Sequence, residues 1–321
     1  MKLLYYFVFI FLLILNCVFK NESKYMNANM KSFNNLCKSI QIQKNEDFCI
    51  PPYINYECKY RLVRKHNIIY CQIDKNLSST MRMVLGALIF HNTTNSNNEI
   101  SNKMWFNYYS YMKNLRKMNL EYVAKELLQK NEIETFLKNN HFLAIIRDPI
   151  ERFISSFISK CVIEKPWKLH PGNCLECFDN VTCVINTLYE NVKQMTLNHS
   201  NLKNHDYYTQ HFVPQTWNCE FNKYQKYYKI LFYEDSPEGL KIFYNSLLKI
   251  FKEIGVPNSY LKIIQKSITT TRSFNATHGK SIRKKIKNLI YNNSILIKKL
   301  IKIYFQDYVQ FKIPFPNKFK I

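Results

Sequence analysis

The chain has 321 residues, 46% of them hydrophobic, enough to fill the core of one large α/β domain or of two small ones, and this excludes wholesale disorder. Lysine and arginine number 46 against 23 aspartates and glutamates, and the formal charge of +23 points to an anionic partner such as a nucleotide, nucleic acid, acidic glycan or phospholipid surface. An AT-rich genome writes the same excess of Lys, Asn, Ile, Tyr and Phe whatever the function. The five glycines exclude collagen, glycine-rich RNA-binding tails and a GxGxxG dinucleotide fingerprint.

Met1-Lys2 opens an apolar run from Leu3 to Leu15 that continues through Cys17, Val18 and Phe19 to Lys20. It is short for a membrane span of about 20 residues and has the basic start and apolar middle of a secretory signal. No small-x-small pair marks a cleavage point, so the expectation for residues 1–20 is an uncleaved signal anchor, in the membrane through residues 3–19, ahead of a cleaved peptide. Residues 21–64, polar and containing Pro51-Pro52, read as a stem or irregular cap. In that compartment the ten cysteines read as a disulfide framework. Cys17 lies in the apolar run and Cys71 in the strand-like segment Ile68 to Ile73, where it reads as a buried hydrophobe. Cys37, Cys49, Cys58, Cys161, Cys174, Cys177, Cys183 and Cys219 remain for four bridges whose pairing the sequence does not choose. Cys174-x-x-Cys177 with Cys161 and Cys183 would suit zinc in a cytosolic protein; behind a secretory signal no metal is expected. Asn21, Asn76, Asn92, Asn180, Asn198, Asn275 and Asn292 stand in N-x-S/T sequons, in keeping with a lumenal location.

Ile68 to Ile73 is an apolar run of strand length, followed by a polar turn and by Met81 to Phe90 at helical spacing. Trp105 to Asn139 reads as mainly helical. The unit then recurs: Phe142 to Ile146 is a fully apolar strand, Arg147-Asp148 ends it, and Pro149 opens a helix through Cys161. Tyr228 to Tyr233 is a third strand before a helix from about Ser236 to Ile254, and two basic helices, Ser281 to Tyr291 and Ser294 to Phe311, close the chain. Apolar strands alternating with helices predict an α/β fold with a parallel sheet covered on both faces, its ligands gathered where strands end and helices begin.

Two such junctions carry chemistry. At the first, Asp74-Lys75-Asn76-Leu77-Ser78-Ser79-Thr80, helix N-terminal amides, the three hydroxyls and the Lys75 ammonium suit a phosphate or sulfate. Lys75 precedes the hydroxyls and no glycine pair frames it, which argues against a Walker-type kinase. At the second, Arg147-Asp148-Pro149-Ile150-Glu151-Arg152-Phe153-Ile154-Ser155, Arg147 suits bidentate phosphate binding and Ser155 is placed to join it, while Asp148, Glu151 and Arg152 read as local pairs and caps.

These two blocks resemble the 5′-phosphosulfate loop and the 3′-phosphate site of the Golgi carbohydrate sulfotransferases, which use 3′-phosphoadenosine 5′-phosphosulfate (PAPS). The block His211-Phe212-Val213-Pro214-Gln215-Thr216-Trp217-Asn218-Cys219, the Cys174/Cys177/Cys183 cluster, Ala276-Thr277-His278 and the ending Tyr304-Phe305-Gln306-Asp307-Tyr308-Val309-x-Phe311 are similar to the nematode-expanded branch. The resemblance implies a P-loop-like three-layer fold, a sulfotransferase domain over residues 65–315, and transfer from PAPS to a hydroxyl of an acidic or neutral glycan of chondroitin or other glycosaminoglycan type. It implies a Golgi-lumenal type II membrane protein, secreted if the N-terminal segment is cleaved, with no nucleic-acid role and no metal. Lys75, Ser78, Ser79, Thr80, Arg147 and Ser155 would hold the donor, and Lys75 would also meet the charge on the leaving oxygen. For the general base, Glu121, Glu126, His141 and His211 are candidates, with His211 preferred. Asp74 stands where many family members have proline and puts a carboxylate beside the donor; a non-catalytic glycan- or nucleotide-binding relative of the same fold is the alternative.

Overall fold

The structure, a computed structural model, describes residues 37, 49–51, 58–90, 119–127, 132–197, 209–270 and 281–316. The signal segment 1–20, the segment 105–118 read as helical and the sequons at Asn21, Asn92, Asn198 and Asn275 lie outside the described residues.

Four strands form one sheet in the order β1-β2-β3-β4: β1 (Tyr60–Val63), β2 (Ile68–Cys71), β3 (His141–Arg147) and β4 (Tyr228–Tyr233). β2, β3 and β4 are parallel, as their apolar runs predict. The register Ile68↔His141 and Phe142↔Tyr228 brings the C-terminal ends of β2 and β3 to the same edge. β1 is antiparallel to β2 and joined to it through Arg64–His66 and a left-handed Asn67. The sequence reading has these residues in the polar stem 21–64; instead β1 pairs with β2, and the charged Arg61 fits the sheet because its guanidinium is buried against Gln72, whose Oε1 accepts from Arg61 Nε at 2.7 Å.

Among the described residues the α-helices of seven residues or more are numbered α1 (Ser78–Phe90), α2 (Ile133–Asn139), α3 (Pro149–Phe157), α4 (Val181–Leu197), α5 (Pro237–Glu253), α6 (Asn258–Thr270), α7 (Ser281–Asn292) and α8 (Ser294–Gln310). They pack into two cores. One gathers the strands with α1, α2, α5 and α6; the other is helical and gathers α3, α4, α7 and α8 with Phe212, Val213 and Trp217. α3 begins at the C-terminal end of β3, where Asp148 caps it by accepting from Glu151 N at 2.8 Å and Pro149 occupies the first turn. The loops at this edge therefore lie along the seam between the two cores.

Four disulfides join Cys37–Cys49, Cys71–Cys219, Cys161–Cys174 and Cys177–Cys183. The number agrees with the sequence reading and one partner does not. Cys71 is bridged to Cys219, and the buried cysteine outside the bridges among the described residues is Cys58, whose thiol burial pushes up to about 12. The register Tyr60↔Cys71 runs Cys58 past the end of the β1–β2 ladder, leaving Cys71 to meet the segment that carries Cys219. The Asn76 sequon is also corrected: this side chain is fully buried, and its Nδ2 donates to Ile145 O at 2.7 Å and Gln215 Oε1 at 2.6 Å, so no glycan fits there.

Candidate active site

Residues 74–77 bridge β2 and α1 through an unusual backbone. Lys75 (φ 69°) and Leu77 (φ 55°) both lie in the left-handed region, flanking Asn76. Non-glycine residues pay about 1–3 kcal/mol each for such conformations, and these persist where the surroundings impose them. The surroundings here are the two Asn76 amide bonds, which pin the loop to β3 and to Gln215. Alternation of this kind turns successive backbone N–H groups to one side, the geometry of anion-binding nests. The first turn of α1 follows at once with Ser78, Ser79 and the buried Thr80, and contains no acidic residue. Arg82 reaches back to the same turn, its Nη2 3.4 Å from Ser79 Oγ.

Arg147 closes the site from β3. Its side chain is buried, with Nη1 3.4 Å from the Lys75 carbonyl, Nη2 3.4 Å from Asp235 Oδ2 and the guanidinium 5.0 Å from the Tyr233 ring centroid. Its Nε has no hydrogen-bond partner among the described residues, nor has Nη2 of the fully buried Arg152. Two orphaned guanidinium donors at the end of a sheet are what an anion would satisfy. Ser155 is buried two turns along α3.

Asp148 behaves as the cap expected of it, and its carboxyl is held above the usual range by burial. Glu151 and Arg152 do not form the local pairs expected. Glu151 binds Arg283 and Lys287 of α7, and Arg152 donates through Nε to Asp74 O at 3.0 Å and through Nη1 to Val213 O at 2.7 Å. Helix spacing alone cannot show that α7 and the 211–215 segment lie against this face.

Asp74, the residue read as a threat to anion binding, is neutralised. Its Oδ2 lies 2.5 Å from Lys59 Nζ and 3.9 Å from His211 Nε2, and its Oδ1 accepts from Gln72 at 3.4 Å. Burial alone would raise its pKa, but Lys59, His211 and Arg152 outweigh burial and hold it well below the usual carboxylate range. Lys75 moves the other way: burial, then the neighbouring Lys160 ammonium, push it down to about 8, with Glu164 and Asp74 opposing.

Of the candidate bases, only His211 stands beside the loop among the described side chains. His141 opens β3 at the opposite end from Arg147, about 20 Å away at strand rise. Glu121 is exposed and meets Tyr224 Oη at 3.5 Å, and the Glu126 side chain lies outside the described residues.

Sequence reasoning missed the bracket that ties the loops together. Gln215 Oε1 accepts from Asn76 Nδ2 and from Arg147 N, the latter at 3.1 Å, while its Nε2 donates to Arg147 O at 2.9 Å. Asp307 of α8 holds the other end, accepting from Gln215 N at 2.9 Å and from Thr216 N and Oγ1 at 2.8 Å. The signal was present in the His211–Gln215 and Gln306-Asp307 blocks, which sequence similarity singled out without a role.

The family model described as "Sulfotransferase family" matches residues 59–314, a span that holds the sheet, both loops, Gln215 and Asp307. Carbohydrate sulfotransferase chst-1 of Caenorhabditis elegans is 32% identical over 266 residues, covering 82% of this chain and 77% of that protein. An uncharacterized protein of the same nematode is 25% identical over 285 residues, 86% of this chain and 74% of that one. No solved structure matches the chain significantly. With Lys75 and Arg147 gathered at the strand ends and a family match running from β1 to beyond α8, the chain belongs to the sulfotransferase family.

Proposed function

We propose that the protein transfers a sulfuryl group from PAPS to a hydroxyl of a glycan. The observation that carries this reading is the linked pair of loops: Lys75 after β2 and Arg147 at the end of β3 are joined through the Lys75 carbonyl and braced by Gln215, with Arg147 Nε and Arg152 Nη2 left without hydrogen-bond partners among the described residues. The residues fit the donor. Arg147 and Ser155 bind its 3′-phosphate, and the loop amides with Ser78, Ser79 and Thr80 hold the 5′-phosphate.

The donor supplies a sulfuryl group on a stable leaving group. The acceptor oxygen forms its bond to sulfur as the bond from sulfur to the bridging oxygen breaks, and that electron pair stays on the 5′-phosphate. Lys75 meets the charge developing there. His211 takes the acceptor proton and Asp74 steadies the resulting imidazolium, so the residue that departs from the family pattern serves the base instead of opposing the donor. Positioning and fixed charge supply the catalysis, and no step needs a metal; no group of metal-ligating side chains occurs among the described residues.

The acceptor is an acidic or neutral glycan, a reading supported by the name of the carbohydrate sulfotransferase relative, and a glycosaminoglycan is in keeping with the net charge of +23. The lumen of the secretory pathway is the proposed location. Four disulfides suit an oxidising compartment and the N-terminal run suits entry into it; among the described residues no helix is long and apolar enough to cross a membrane.

The test is incubation of the purified protein with sulfur-labelled PAPS and a panel of desulfated glycosaminoglycans and neutral glycans. Label should appear on a glycan, and Lys75→Ala should lower its rate about a hundredfold or more with the fold intact. Donor binding without label on any glycan would replace the enzyme by a binding module.

A further inference from the structure

One carboxylate oxygen faces two basic groups. Asp74 Oδ2 lies 2.5 Å from Lys59 Nζ and 3.9 Å from His211 Nε2. The first distance is a hydrogen bond and the second is beyond one, so in the free protein the ammonium holds the carboxylate and the imidazole stands next to it. The sheet places that ammonium. Lys59 comes one residue before β1, and its carbonyl accepts from Gln72 N at 2.8 Å, which extends the β1–β2 pairing past Tyr60↔Cys71. In extended backbone Lys59 and Arg61 share a face, and both serve the residues after β2. Arg61 Nε fixes Gln72 Oε1 at 2.7 Å, and Gln72 Nε2 donates to the other Asp74 oxygen at 3.4 Å.

The side chains of Lys59, Asp74 and His211 are 19%, 12% and 5% exposed, depths at which solvent screens charge weakly. The charged groups acting on the carboxylate come from each element around it: Lys59 ahead of β1, His211 from the turn Thr209–His211, and Arg152 of α3, whose Nε also donates to Asp74 O at 3.0 Å. Lys75 follows Asp74 in the chain and feels its charge. α3 also holds the histidine, because Ser156 donates its hydroxyl to the His211 carbonyl at 2.7 Å. A histidine facing a lone carboxylate is held protonated near neutral pH, and an imidazolium has no lone pair with which to receive a proton. An ammonium bound to the same carboxylate oxygen offsets that pull.

We propose that Lys59 is a positioning residue of the transfer reaction: by engaging Asp74 Oδ2 it leaves the His211 imidazole neutral and able to take the proton of the acceptor hydroxyl. This rests on the reading of His211 as the base and deepens it. Lys59 acts through Asp74 and not by contact with donor or acceptor. As the acceptor oxygen bonds to sulfur, its proton passes to His211, and the imidazolium then shares the carboxylate with the ammonium.

The experiment follows the His211 imidazole of the free protein by proton NMR titration, assigned with His211→Asn, together with the pH profile of kcat/KM. The proteins compared are the wild type, Lys59→Met, Lys59→Arg and Asp74→Asn. Lys59→Met should raise the imidazole pKa and move the acid limb of the profile upward by about one pH unit, lowering the rate at pH 6 by up to about tenfold relative to the plateau. Lys59→Arg should keep the wild-type limb, because it restores the cation. Asp74→Asn leaves the ammonium facing the imidazole without a carboxylate between them, and should shift both readouts the other way. Rates that fall equally at every pH, with the imidazole pKa unchanged in Lys59→Met and Asp74→Asn, would overturn the proposal and make the pair purely structural. If Lys59→Met shows no cooperative melting transition, Asp74→Asn decides alone. Transfer at the wild-type rate by His211→Asn refutes the base reading itself, whereas transfer lost in His211→Asn with an imidazole that ignores Lys59 and Asp74 refutes only the role of Lys59.

Discussion

Lys75 is under two opposed demands. The free protein disfavours its charge, by burial and by Lys160, and the proposed anionic donor would require it. Its folded pKa of about 8 lies below the ordinary 10.5, so the unfolded chain binds more protons between these values. The burden of burying the ammonium is thus fully present below pH 8 and is relieved as pH rises toward 10.5. Donor binding has the opposite sign, because a bound anion draws the proton back onto Lys75. Bisphosphate affinity should be flat from pH 7 to 8 and then fall by up to about tenfold per pH unit, since the phosphates are already ionised. Lys75→Arg should remove the fall, because a guanidinium stays charged throughout. Calorimetric titration across pH 7 to 9.5 reads this directly, and a flat wild-type profile would remove Lys75 from contact with the ligand.

At the scale of elements, the site depends on a side chain that need not touch the donor. Gln215 satisfies Arg147 N and O and Asn76 Nδ2, and through Asn76 it imposes the left-handed backbone of the Lys75 loop. Gln215→Ala strands these buried groups, and at about 1–3 kcal/mol for a group left unsatisfied the variant should lose about 2–4 kcal/mol in denaturant titration. Bisphosphate binding should weaken with it as the strained loop relaxes; unchanged affinity would show that the loop holds its shape without the bracket. Much of this architecture was legible in advance. The strand at Tyr228–Tyr233 has the bounds read from sequence, the strands before both loops were found, and Pro149 marked the start of α3. Gln215 was quoted only as part of a motif, since its partners lie 68, 92 and 139 residues away and local pattern says nothing of such distances. The π-helical turn Ile158–Glu164 that follows α3 escaped for a related reason: apolar periodicity reports which side of a helix is buried and not a change in its winding. α4 was missed where Asn and Thr interrupt the stripe, and β1 because it lies within the polar segment 21–64.

Among the described residues two cores meet, with the sheet and the loop after β2 contributing Lys75 and Arg147 and the helical side contributing His211, Gln215 and Asp307. Cys71–Cys219, both of its sulfurs within the sheet core, ties β2 to the segment just beyond Gln215 over a separation of 148 residues. The sequence supplied both cysteines but ranked Cys71 as a hydrophobe, because burial in a strand looks the same for a thiol and for a bridged sulfur. Under the proposed function, the Lys75 loop and Arg147 are the two anion-binding ends of one site, and a single nucleotide spans both. The direct measurement is the affinity of the purified protein for adenosine 3′,5′-bisphosphate against AMP, in the wild type and in Arg147→Ala. The bisphosphate should bind at least about tenfold more tightly than AMP, the worth of one charge-assisted phosphate contact, and Arg147→Ala should bring the two together. Equal binding of both nucleotides by the wild type would contradict the account.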